Sequence, residues 1–92
     1  NKNIAEKDNW KLFKEAFDNA DKDFLQSVKE AHPNLTSNDL KLCAYLRLNL
    51  SSKEIAPLLN ISVRSVEIKR YRLRKKMDLD HDQGLVEYIL KF

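Results

Sequence analysis

Cysteine, histidine, serine and aspartate side chains could support covalent or metal chemistry, and none in this sequence is placed for it. Cys43 is the only cysteine, so no internal disulfide can form, and a reduced cytosolic setting fits. His81 stands between Asp80 and Asp82, but no other ligand type follows at suitable spacing, so no metal is expected there. His32 precedes Pro33 and reads as an ordinary helix-end residue. Serine, histidine and aspartate all occur, yet no spacing pairs a nucleophile with its base. Gly84 is the single glycine, which excludes a phosphate-cradling glycine loop. No catalytic residue, cofactor or metal is therefore expected, and an enzyme is disfavoured.

The chemistry on offer is electrostatic. Residues 64–76 hold seven bases (Arg64, Lys69, Arg70, Arg72, Arg74, Lys75, Lys76) and one acid, Glu67. Such a run is often no more than a solvated helix face. Like charges one turn apart destabilise a free helix by about 0.2–0.5 kcal/mol per pair, whereas a polyanion reverses the sign by releasing counterions. The net charge of +3 hides an asymmetry. Residues 1–40 carry six bases and eight acids, a balance of −2, and residues 41–92 carry eleven bases and six acids, a balance of +5. An anionic partner for the second half fits this distribution.

At about 100° per residue, Val66, Leu73 and Met77 fall on one arc of a helix predicted from Val63 to Met77, flanked by the stems of Lys69 and Arg70. Arg64, Ile68, Tyr71, Arg72 and Lys75 fall opposite, with Glu67 at the edge. The segment before it predicts a short helix capped by Ser51 or Ser52 and running to Leu59. Ala56 is a small residue where two helices can touch, and Asn60, four positions on, tolerates positive φ. Ile55, Leu59, Ile61 and Val66 surround them. This is the pattern of a helix-turn-helix, whose second helix fits the major groove. Pro57 lies uncomfortably far inside the first helix, so a displaced start near Glu54 or a kink is expected.

The remaining elements are also helical. Trp10, Phe13 and Phe17 mark an amphipathic helix from Ile4 to Asn19, packing as core or, alternatively, facing a partner. Phe24, Leu25, Val28 and Ala31 share one face of a second helix, Asp21 to Ala31, which ends at Pro33. Thr36 is the expected N-cap of a third, with Asp39 reaching back to it and Leu42, Cys43 and Leu46 as its apolar stripe. Asn49 closes that helix. A last helix from about Asp82 carries Leu85, Val86, Ile89, Leu90 and Phe92. Leu48 and Leu50 are the only strand hints, so the fold class is all-α. Two parts are expected: a helical hairpin or connector, 1–33, and a helix-turn-helix domain, 34–92. No apolar stretch is long enough to span a membrane and no signal peptide pattern occurs, so no membrane contact by this segment is expected. The chain begins at Asn1 rather than methionine, and is expected to be an excised part of something larger.

From Leu35 onward the sequence resembles the LuxR/FixJ-type DNA-binding domain. The resemblance rests on Leu35-Thr36, Asp39, Leu42 to Leu46, Lys53-Glu54-Ile55-Ala56, Leu59, Ile61-Ser62, Ser65-Val66 and Lys76-Met77, in register and without gaps. It covers residues 35–92. Asn49 stands where a glycine is usual and Ser52 where an asparagine is. Lys69 replaces a common histidine, and Glu67 a frequent lysine, so base preference does not transfer. The wording Leu-Cys-Ala and Val-Glu-Ile-Lys-Arg-Tyr-Arg-Leu-Arg-Lys-Lys is similar to a Bacteroidetes subgroup of long sensor-regulators with propeller-type and Y_Y_Y extracellular modules.

The resemblance implies a LuxR-type, winged-helix-like domain of three to four helices that binds double-stranded DNA as the output of a transcriptional regulator. It implies base reading by Arg64, Glu67, Ile68, Tyr71 and Arg72, and phosphate contacts by Lys53, Ser65, Arg70, Arg74 and Lys75. The last helix (Leu85, Val86, Ile89, Leu90) pairs two copies on DNA in this family, or else caps its own core. A missing sensor part and a cytoplasmic setting follow, with membrane anchoring of the full-length protein left open. Two rivals remain: a sigma-factor-like promoter-reading domain, and a helical interaction module whose basic helix binds an acidic partner or membrane surface.

Overall fold

A computed structural model describes residues 2–80 and 82–92, with side chains from Lys11 onward. The described residues form six helices: α1 (Lys2–Ala20), α2 (Phe24–Ala31), α3 (Ser37–Arg47), α4 (Ser52–Leu59), α5 (Val63–Lys76) and α6 (Leu85–Leu90). No strand occurs among them, so the domain is all-α and carries no β wing. No helix among the described residues is long and apolar enough to cross a membrane.

The first two helices form as their periodicity predicts, but the joint between them is longer than expected. Asp23 adopts φ 71°, and this left-handed residue stops Asp21 to Asp23 from continuing as helix, so α2 starts at Phe24. Phe24, Leu25 and Val28 are buried, whereas Ala31 is exposed, because the chain leaves the helix at His32. Phe13 and Phe17 face inward. The Phe13 ring lies 5.2 Å from Tyr45 of α3, and Phe17 meets Phe24 edge-on at 5.7 Å. Phe24 continues to Phe92 at 6.2 Å, beyond the end of α6. These aromatic contacts place Phe13 and Phe17 in packing rather than on a partner surface. The side chain of Trp10 lies outside the described residues.

The hairpin and the helices after it share one apolar cluster, running from Phe17 and Val28 through Leu42, Leu46 and Ile55 to Val66, Leu73 and Ile89. α3 is its axis. One apolar stripe was expected there, yet Leu42, Cys43, Ala44, Tyr45 and Leu46 are all buried. A helix apolar on several sides is one with neighbours on several sides. α2 and α6 pack directly against it.

Helix boundaries follow their caps. The Thr36 hydroxyl accepts from the Asp39 amide at 3.2 Å, and the Thr36 amide donates to the Asp39 carboxylate at 2.9 Å. Ser51 and Glu54 repeat this at the start of α4, which makes Ser51 the cap. α4 therefore begins at Ser52 with Pro57 inside it, not at a start displaced toward Glu54. The bond lost at Pro57 leaves the carbonyl of Lys53 without its helical donor, and Lys53 is exposed, where water can replace it.

With so little glycine, the chain closes its helices with Asn and Asp. Asn49 (φ 62°), Asn60 (φ 58°) and Asp78 (φ 55°) are all left-handed. Each is followed by an apolar residue whose amide turns back five residues: Leu50 to Tyr45 at 3.3 Å, Ile61 to Ala56 at 3.0 Å, Leu79 to Arg74 at 3.2 Å. Leu50, Ile61 and Leu79 then pack against the core, completing the Schellman arrangement. This also removes Leu48 and Leu50 as strand candidates.

Candidate nucleic-acid interface

Asn60 reverses the chain after α4, and Ser62 starts α5 by accepting from the Ser65 amide at 3.1 Å. The two helices are in close contact. Ala56 and Ile55 are buried on α4, as are Val66, Leu73 and Met77 on the α5 side. Those five residues clamp α5 by one face, and Arg70 adds a link by donating to the Ser52 hydroxyl at 3.3 Å.

The opposite face of α5 is open. Arg64, Glu67 and Arg72 are exposed, and Ile68 and Tyr71 keep 43% and 59% of their surface. Side chains four apart align along a helix. One row therefore holds Glu67, Tyr71 and Lys75, and the next holds Arg64, Ile68 and Arg72. The Lys75 ammonium lies 5.1 Å from the Tyr71 ring centre, a cation–π contact that props the ring. An apolar residue and an aromatic, both uncovered and framed by cations, have no role in the core.

The residues expected at phosphates divide. Lys53 and Lys75 are exposed. Ser65 is half-buried, its hydroxyl 3.0 Å from that of Ser62. Arg74 departs from expectation. Its guanidinium donates to the carbonyls of Gln83 at 2.5 Å and Asp80 at 2.9 Å, so it braces the loop after α5. That bracing also explains why α6 begins at Leu85 rather than near Asp82: the carbonyls ahead of Gly84 are held in a turn. The four residues expected at a dimer contact divide as well. Leu85 and Ile89 are buried in their own core, Val86 is half-buried, and Leu90, at 48%, is the well-exposed one of the four.

Other links went unforeseen. Lys76 donates to the Asp39 carboxylate at 2.6 Å, tying the end of α5 to the cap of α3. Burial alone would raise the Asp39 pKa, but the Lys76 bond and the Thr36 amide and hydroxyl bring it below 3.8. Asp39 is legible in sequence as a cap, whereas its partner lies 37 residues away. Burial, reinforced by the nearby Asp39 charge, pushes the Cys43 thiol up to about 12, which makes it inert packing. Among the described residues no group of His, Cys, Asp and Glu could hold a metal ion. His81 lies outside them.

No curated protein and no solved structure matched the chain. A family model did: residues 33–89, more than half of the 92, match the bacterial regulatory proteins of the luxR family. The matched stretch begins just before α3, spans the clamped helix pair and ends within α6. The chain thus belongs to the luxR family of bacterial regulatory proteins, whose helix-turn-helix binds DNA in the regulation of transcription.

Proposed function

We propose that this chain binds a specific duplex sequence with α5 in the major groove, as the output part of a longer transcriptional regulator. The observation that supports it is the exposure of Ile68 and Tyr71, at 43% and 59%, on the side of α5 away from the buried Val66 and Leu73. The groove is wide enough for a helix, and base edges carry the donors, acceptors and methyl groups that such side chains read. Glu67 accepts from a cytosine amino group, and Ile68 meets a thymine methyl. Arg64 and Arg72 bind guanine edges or adjacent phosphates. Lys53, Ser65 and Lys75 position the backbone. Val86 and Leu90 supply the part of α6 left for contact with a second copy on a repeated or palindromic site. The sensor part connects through α1, and the domain works in the cytoplasm.

Selection from a random duplex library tests this reading. The chain should enrich a defined motif, and Tyr71→Ala or Arg72→Ala should weaken binding to it by about 1–3 kcal/mol. Enrichment of no sequence would point instead to a protein-interaction module. Unchanged affinity in both variants would refute the assigned face.

A further inference from the structure

Glu67 is the only acid among the outward residues of α5, and it has no ion pair or side-chain hydrogen bond among the described residues. Two arginines stand within reach along the helix, Arg64 three residues before and Arg70 three after, and Arg74 lies two turns on. Arg70 is turned to the Ser52 hydroxyl, and Arg74 to the carbonyls of Asp80 and Gln83. Arg64 makes no ion pair with it. The ion pairs among the described residues are Lys14–Asp18, Arg47–Asp21 and Lys76–Asp39. A carboxylate without an ion pair in so cationic a segment is available to a ligand.

We infer that Glu67 is a specificity determinant that acts chiefly by exclusion, an inference that rests on the groove-reading role of α5 proposed above. An ionised carboxylate has only acceptor sites. Guanine presents two acceptors in the major groove, thymine an acceptor and a methyl, adenine an amino donor beside an acceptor that repels a carboxylate, and cytosine a lone amino donor. Facing guanine or thymine, Glu67 loses its water and gains no donor. Facing cytosine, it gains one. Because it also opposes the phosphate field, Glu67 weakens binding to every duplex that lacks the matching donor. The surrounding cations give affinity without sequence choice, and Glu67 supplies the choice at some loss of affinity.

The test compares the full 92-residue chain with Glu67→Gln and Glu67→Ala in selection from random duplex, alongside titration of a fixed random-sequence duplex. Glu67 is exposed, so circular dichroism and thermal melting should show both variants folded as the parent. The parent should enrich cytosine at one position. Glu67→Gln should shift that position toward adenine, whose paired donor and acceptor suit an amide, and Glu67→Ala should leave it without preference. Both variants should bind the random duplex about ten-fold tighter, the order expected from removing one unfavourable charge. A motif shared unchanged by all three proteins, with equal affinity for random duplex, would overturn the role of Glu67 while leaving DNA reading intact. A parent that enriches no sequence would overturn both.

Discussion

The Arg47 Nε donates to the Asp21 carboxylate at 2.7 Å, joining the end of α3 to the turn between α1 and α2. The same guanidinium donates to the Ile89 carbonyl at 3.0 Å and lies 4.8 Å from the Phe24 ring centre. One side chain thus binds the hairpin, the central helix and the last helix. The family match begins at residue 33, yet the core it shares includes Phe17, Phe24, Leu25 and Val28 from before that point.

Arg47→Ala should therefore destabilise the chain by about 2 kcal/mol, since it strands a partly buried carboxylate and removes a cation–π contact. Chemical denaturation followed by circular dichroism measures this. Deleting residues 2–32 should do more, leaving α3 with an uncovered apolar side and no cooperative unfolding transition. A truncated chain that melts as sharply as the parent would show the hairpin to be dispensable.

Acid should weaken the join between α3 and α5. The Asp39 carboxyl titrates below its ordinary 3.8 when folded. A depressed pKa contributes stability that is fully present above the unfolded value. That contribution fades as pH falls through 3.8 and is gone below the folded value. Unfolding free energy should thus decline across this window, and Asp39→Asn should flatten the decline. At pH 7 the same variant should lose about 1 kcal/mol, from a weakened capping box and a lost ion pair.

What was readable in the sequence, and what was not, divides by range. Thr36 with Asp39, the serine cap before α4 and the Val66–Leu73–Met77 arc lie within a few turns of one helix, and all appear in the structure. Local spacing encodes them. Arg47 with Asp21, Lys76 with Asp39 and Arg74 with Gln83 depend on how helices return to one another, and no spacing rule reports that. The last helix shows the same divide. Its surplus of apolar residues left a second copy and the domain's own core as alternatives, and only the packing of α6 on α3 shows that Leu85 and Ile89 are buried within the chain. For α5, composition alone counted seven cations as alike. The packing separates those that hold the fold from those that face outward.

Asn60 should prove the sensitive point of the helix pair. Its φ of 58° is tolerated by Asn and Gly, and an alanine there is strained. Asn60→Ala should lower stability by about 1 kcal/mol, whereas Asn60→Gly should stay within about 0.5 kcal/mol of the parent. Thermal melts of the two variants give the comparison. Because the turn sets the angle at which α5 leaves α4, Asn60→Ala should also reduce DNA affinity more than Asn60→Gly. Equal melting temperatures would mean that the turn adopts a different conformation in solution.

The salt dependence of DNA binding should count the cations that the fold leaves outward. Of the seven in residues 64–76, Arg70 is directed at Ser52, Arg74 at two carbonyls and Lys76 at Asp39. Arg64, Lys69, Arg72 and Lys75 remain exposed, with Lys53 on α4. Each phosphate neutralised contributes about −0.9 to the slope of log K against log salt, so five contacts give roughly −4 to −5 per chain, and eight would give about −7. Arg72→Ala should reduce the steepness by about 1 and leave melting unchanged. Arg74→Ala should do the reverse. It frees the loop after α5, lowers the melting temperature by several degrees, about 1 kcal/mol, and keeps the slope. A slope that falls with Arg74→Ala while melting holds steady would place that guanidinium on DNA instead of on the loop.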